Sequence, residues 1–104
     1  MKKLFISQPM KCKTDEEILK AREKAIKSAE SIIGEPVEVI DSFFQNAPHE
    51  AKPLWFLGKS LELMAGADSV YFVNGWEKAR GCVIEHQCCV EYGIPYSVEE
   101  ETIK

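Results

Sequence analysis

Short runs of β-forming residues alternate with longer helical segments along the chain, and this alternation restricts the fold more than any other feature of the sequence. The first run, "KLFIS" at residues 3–7, is apolar at its centre and stopped by Pro9, which predicts a buried strand. Three similar runs follow, at residues 37–40, 69–73 and 94–98. Pro95 cannot donate to a ladder, so we expect the last run to be an edge strand.

Helical signals fill the intervals between these runs. Thr14 followed by Glu17 is the pattern of a capping box, and apolar residues then recur at helical spacing as far as Gly34. A second helix is predicted over residues 54–67 and a third over residues 82–92. The polar segment 41–53 between the second strand and the second helix is longer than usual for such a connection, which makes it a candidate binding loop.

The resulting order, βαβαβαβ, is typical of a parallel sheet covered by helices on both faces. We therefore predict an α/β fold: a three-layer sandwich with a four- to five-stranded parallel sheet, flavodoxin-like or Rossmann-like. The 104 residues suit one domain, residues 1–104, and 45% hydrophobic residues are enough for a packed core.

Charge and composition exclude several classes of function. A formal net charge of -4 gives no footprint for a nucleic acid polymer. No apolar run approaches the roughly 18 residues of a membrane span, and the N-terminal one covers only residues 4–6, so we expect a cytoplasmic protein. The four cysteines are not spaced as a disulfide framework. Cys82 and His86 stand four apart but have no convincing third ligand, so we expect no metal and no cofactor.

Ligands of such sheets bind outside the carboxyl ends of the strands, near the point where the strand order reverses. Three segments are expected to meet there, residues 7–10, 41–43 and 74–81. Glu85 lies one turn into the third helix and can lean back towards this cleft. Near a helix N-terminus a partly desolvated carboxylate can remain an anion and act as a nucleophile. The alternative is that Glu85 pairs with Arg80 or Lys78 on the helix surface.

The same region contains further candidate binding residues. Ser7 and Gln8 stand at a strand end, where backbone amides either hold a phosphate or make an ordinary turn. Trp76 is expected to stack on a base and Arg80 to pair with a phosphate or with Glu85. The complete set of expected binding residues is Ser7, Gln8, Pro9, Met10, Asp41, Ser60, Asn74, Gly75, Trp76, Glu77, Arg80 and Gly81.

The stretches "MKKLFISQPM", "PLWFLGKSLELMAGADSVYFVNGWEKARGC" and "IEHQCCVEYGIPY" resemble the nucleoside 2-deoxyribosyltransferase-like superfamily, and more closely a small uncharacterised branch from bacteria and their viruses. This resemblance implies cleavage or transfer of the N-glycosidic bond of a (deoxy)nucleoside or nucleotide. By position, Glu85 in "GCVIE" matches the family's nucleophile. The resemblance also implies a homo-oligomer, because in this family a neighbouring subunit often completes the pocket.

The chain departs from the family pattern at the group that assists the departing base. Where the family usually has an aspartate, eight residues before Asp68, this chain has Ser60. Acid catalysis would then fall to Glu77, Asp41 or His86, or be absent. A non-catalytic module that senses or sequesters a nucleotide is therefore the alternative to an enzyme.

Overall fold

The computed structural model describes residues 1–10, 13–41 and 50–99, and its strands form an all-parallel sheet. The elements in chain order are β1 (Lys2–Ser7), α1 (Asp15–Ile33), β2 (Val37–Val39), α2 (Pro53–Met64), β3 (Ser69–Phe72), a 3-10 turn (Trp76–Lys78), α3 (Arg80–Tyr92) and β4 (Tyr96–Val98). Each predicted strand and helix is present, with boundaries that move by up to three residues. The expected α/β fold is confirmed.

The strand order is β2-β1-β3-β4, so the sheet has four strands and β4 lies at an edge as Pro95 predicts. β2 lies on one side of β1, and β3 and β4 follow on the other side. The strand order therefore reverses between β1 and β3. Ser7 at the end of β1 is in register with Phe72 at the end of β3, so both strands finish at the same level. This order is the flavodoxin-like one, whose ligand site lies at that reversal.

Alternating side chains of the central strands supply two hydrophobic layers. Leu4, Ile6 and Tyr71 point to one face, where Ala25 and Ala29 of α1 cover them. On the other face, the layer contains one residue from α2, one from α3 and three from the strands: Met64, Cys89, Phe5, Val70 and Phe72. The molecule is thus a three-layer sandwich with α1 on one side and α2 and α3 on the other.

Local sequence signals fix the long helix α1. The Thr14 hydroxyl accepts a hydrogen bond from the Glu17 amide at 3.1 Å, and the Glu17 carboxylate accepts one from the Thr14 amide at the same distance. The helix ends at Gly34, whose φ of 85° is left-handed and favours glycine. Both ends of α1 are therefore as the sequence predicts.

Among the helices within residues 1–10, 13–41 and 50–99, none is both long and apolar enough to cross a lipid bilayer.

Candidate functional site

A cleft of about 1410 Å³ opens at the carboxyl ends of β1 and β3, where the strand order reverses. The β1 end, the turn after β3, the start of α3 and the first half of α2 form its walls. Most of the expected site residues line it: Ser7, Gln8, Pro9, Met10, Ser60, Asn74, Gly75, Arg80, Gly81 and Glu85. The topology therefore brings together residues that are up to 78 positions apart in the chain.

The turn after β3 forms part of the wall of this cleft. Gly75 has a φ of 92°, a left-handed conformation that favours glycine, and its Cα faces Pro9 of the β1 loop. A Cβ at Gly75 would stand 3.6 Å from the Pro9 ring, in ordinary contact. It is the backbone conformation, and not lack of space, that requires glycine here.

Glu85 lies on the buried stripe of α3. Cys82, Glu85 and Cys89 are three and four residues apart, so they share the helix face that packs against the sheet. The Glu85 side chain is only 6% exposed and lines the cleft. Glu85 therefore does not lie on the helix surface, where the alternative prediction paired it with Arg80 or Lys78.

A serine from the neighbouring strand partners the Glu85 carboxylate. The Ser7 hydroxyl, which is 2% exposed, donates a hydrogen bond of 2.5 Å to Glu85 Oε1. Such a short contact to an ionised acceptor is typical of a charge-assisted hydrogen bond. It fixes the carboxylate at the end of β1, with the cleft in front of it.

Burial and hydrogen bonding act on the Glu85 carboxyl in opposite directions. Burial raises its pKa above the ordinary value, whereas the hydrogen bond from Ser7 and, to a smaller extent, the nearby Ser60 hydroxyl lower it. Burial is the largest influence, so the net pKa is raised. The two serines thus stabilise the anion that a nucleophile needs without removing its basicity.

The thiol next to this carboxylate is a poor nucleophile by comparison. Burial, with a smaller contribution from the nearby Glu85, raises the pKa of Cys82 to about 11, although the neighbouring Ser7 hydroxyl opposes this rise. At neutral pH Cys82 is protonated, and only a thiolate is strongly nucleophilic. Among these two neighbours, Glu85 is the group suited to attack.

Replacing Ser7 with alanine should raise the Glu85 pKa further. The variant leaves the buried carboxylate without its strongest donor, so we expect a loss of about 1.5–3 kcal/mol in the free energy of unfolding at neutral pH. The loss should be smaller at a pH low enough to protonate Glu85. Carbon-detected NMR titration of the Glu85 carboxyl and urea denaturation measure the two effects.

The matched controls for this variant are two other serines. Ser60→Ala should shift the Glu85 pKa in the same direction but less, and Ser69→Ala in β3 should leave it unchanged. A Glu85 pKa that is the same in Ser7→Ala and wild type would show that the hydrogen bond does not govern the carboxylate.

A buried polar network supports the loop behind Ser7. The Arg22 guanidinium of α1, 7% exposed, donates to Gln8 Oε1 at 3.2 Å and to the Ile40 carbonyl at 3.3 Å. Gln8 in turn donates through Nε2 to the Ile18 carbonyl at 3.1 Å. Burial lowers the Arg22 pKa. The nearby Asp41 opposes this effect only in part, so the net pKa is lowered. The Gln8 amide is thus occupied by α1, so its side chain holds the loop in place.

Three expected binding residues lie away from the lining of the cleft that the described residues form: Asp41, Trp76 and Glu77. Asp41 and Glu77 are exposed. The Trp76 indole stacks on the His86 imidazole with ring centres 4.3 Å apart and an interplanar angle of 16°. Phe72 and Tyr96 contact the same imidazole ring edge-on. Trp76 is therefore placed in an aromatic cluster beside the sheet, and not over the cleft.

Cations at the rim of the cleft are the main addition to the expected site. Lys13, Lys52 and Lys78 line it together with Arg80. The position of Lys52 at the cleft could have been predicted from the element order, because α2 follows β2 and therefore begins at the same edge of the sheet. The remainder of the expected segment 41–43, residues 42 and 43, lies outside the described residues.

No cluster of three His, Cys, Asp or Glu side chains suited to hold an ion occurs within residues 1–10, 13–41 and 50–99. Cys82, Cys88 and Cys89 are free thiols, and burial together with Cys88 and Glu85 raises the pKa of Cys89 to about 11.

Comparison of the chain with protein-family models, with curated proteins and with solved structures found no match at the significance required.

Proposed function

We propose that the protein cleaves or transfers the N-glycosidic bond of a (deoxy)nucleoside or nucleotide, with Glu85 as the nucleophile. The observation that carries this proposal is the carboxylate itself. It is buried, it accepts a 2.5 Å hydrogen bond from Ser7, and it faces a cleft at the reversal of the strand order. The sequence resemblance to the nucleoside 2-deoxyribosyltransferase-like superfamily supports the same reaction.

In the first step a Glu85 carboxylate oxygen attacks the anomeric carbon and forms a glycosyl ester. The bond from that carbon to the base nitrogen breaks, and its electron pair leaves with the base. In the second step water or another base attacks the same carbon, and the ester electron pair returns to Glu85. The proton that the attacking water or base nitrogen loses in this step passes to solvent.

The departing base also needs a proton. The candidates Asp41 and Glu77 stand outside the lining, and His86 is stacked beneath Trp76. Ser60 lines the cleft but is a poor acid. Among the described residues none of the candidate acids Asp41, Glu77 and His86 lines the cleft, so in the proposed reaction the base takes its proton from water, and electron-poor bases, which leave most easily, react fastest.

A base-release screen tests the proposal. Wild-type protein is incubated with the four 2′-deoxyribonucleosides and their 5′-monophosphates, with and without a second free base, and the products are separated by chromatography. We expect free base, or the exchanged nucleoside, from at least one substrate. Absence of both from every substrate would contradict the reaction.

Non-catalytic binding of a nucleotide is the second candidate. This second function is favoured by the positions of Asp41, Glu77 and His86. None of these three possible acids is among the described residues that line the cleft. A thermal-shift series with the same nucleosides and nucleotides separates the two functions. A rise in Tm without any product supports the binding module, and product formation supports the enzyme.

We also propose a homo-oligomer, as the resemblance implies. Leu54 at the start of α2 is 76% exposed at the cleft, and Ile84 of α3 is 36% exposed there. Apolar side chains at the mouth of a site are suited to contact a second subunit.

A further inference from the structure

The charges that line the cleft are opposite in sign to the charge of the whole chain. The chain carries a formal net charge of -4. The ionisable side chains lining the cleft are nevertheless mainly cations, namely Lys13, Lys52, Lys78 and Arg80, with the buried Glu85 as the carboxylate among them. All four cations are exposed. A concave surface lined by one sign of charge concentrates ligands of the other sign.

Carboxylates of the described residues leave most of these cations without an ion-pair partner. The ion pairs Lys24–Glu99 and Lys59–Glu62 lie elsewhere. Within the part of the chain that the structure describes, Lys52, Lys78 and Arg80 form no ion pair with an acidic side chain. Lys13 has Glu17 as a neighbour, so the other three cations carry most of the unbalanced charge.

We infer that the substrate carries a phosphate, so that the cleft takes a nucleoside monophosphate in preference to the free nucleoside. Lys52, Lys78 and Arg80 attract the phosphate dianion, while Glu85 faces the sugar. The cleft volume of about 1410 Å³ exceeds the roughly 300–1,000 Å³ of common ligand pockets, so base, sugar and phosphate fit together. This inference rests on the proposed function, because it specifies the substrate of the same cleft.

Calorimetric titration measures the preference directly. The probes are a 2′-deoxyribonucleoside, its 5′-monophosphate and inorganic phosphate, each titrated into the full chain carrying Glu85→Gln so that no turnover interferes. We expect the monophosphate to bind about 10-fold or more tightly than the nucleoside at low salt, since each exposed cation contributes a few-fold. The difference should shrink at 0.5 M salt, because screening weakens exposed charges.

Charge-removing variants locate the phosphate. Arg80→Gln and Lys52→Gln, each added to Glu85→Gln, should weaken binding of the monophosphate about 3- to 10-fold and leave binding of the nucleoside unchanged. Lys27→Gln is the control, since Lys27 is an exposed residue of α1 that does not line the cleft. Inorganic phosphate should compete with the monophosphate but not with the nucleoside.

Equal affinities for nucleoside and monophosphate would overturn the inference, as would equal effects of the cleft and control variants. Either result leaves the release of base from a free nucleoside measurable, so the proposed function can stand without it. Conversely, tight and salt-dependent binding of the monophosphate without base release would keep the phosphate preference as a binding property of the cleft and would exclude the reaction.

Discussion

Glu85→Gln is expected to reduce base release by about 10³-fold or more, because an amide oxygen cannot form the glycosyl ester. The substitution keeps the size of the side chain and an oxygen that can accept the hydrogen bond from Ser7. The geometry at the end of β1 is therefore preserved while the charge is lost. Rates of base release for wild type and variant, measured on the same substrate, test this expectation.

The same substitution should stabilise the protein at neutral pH. The Glu85 pKa is raised in the folded protein, mainly by burial, so ionisation favours the unfolded chain. Below the ordinary pKa of 4.5 the carboxyl is protonated in both states and the penalty is absent. The penalty grows as pH rises from there through the raised folded pKa. We therefore expect Glu85→Gln to gain about 0.5–2 kcal/mol at neutral pH and nothing in acid.

Glu91→Gln is the matched control. Glu91 is exposed on the same helix and accepts a hydrogen bond of 2.8 Å from Gln87. It should leave turnover unchanged. Were Glu85→Gln to release base as fast as Glu91→Gln, the carboxylate would have no part in the reaction.

Arg22→Met should cause the largest loss of stability among the substitutions considered, about 2–4 kcal/mol at neutral pH. Methionine fills similar volume but leaves Gln8 Oε1 and the Ile40 carbonyl without the donors that reach them at 3.2 and 3.3 Å. Gln8 belongs to the loop that follows β1, and Ile40 directly follows β2. Urea denaturation of the wild-type and variant proteins measures the change.

Lys27→Met on the exposed side of α1 provides the comparison and should change stability by less than about 0.5 kcal/mol. The Arg22 variant should also lower turnover, because Gln8 directly follows Ser7 and its loop lines the cleft. Stability equal to that of Lys27→Met would mean that the network contributes no net stabilisation.

Much of the fold could be predicted from the sequence because its signals are local. The capping box at Thr14 and the glycine at position 34 define α1, and the period of three and four residues places Cys82, Glu85 and Cys89 on one face. Because this face of α3 packs against the sheet, the Glu85 side chain is expected to point towards the sheet. Its partner Ser7 could be placed at the same edge, because parallel strands end together.

The remaining features depend on contacts between distant parts of the chain. Nothing in the sequence near Trp76 shows that its ring meets His86, ten residues later on α3. Pairing of Gln8 with Arg22 depends on how α1 crosses the sheet, which periodicity does not specify. The cations at the rim come from the β1–α1 connection, the start of α2 and the turn before α3, and only the folded chain brings them together.

The most direct test is to identify the glycosyl ester on Glu85. Wild-type protein is mixed with a 2-deoxy-2-fluoroarabinosyl nucleoside or its 5′-monophosphate, which slows release of the sugar, then quenched in acid and analysed by peptide mass spectrometry. The account predicts a fluorosugar adduct on the peptide containing Glu85, absent from Glu85→Gln. Release of base with the adduct on another residue, or with no adduct and at an unchanged rate in Glu85→Gln, would contradict it.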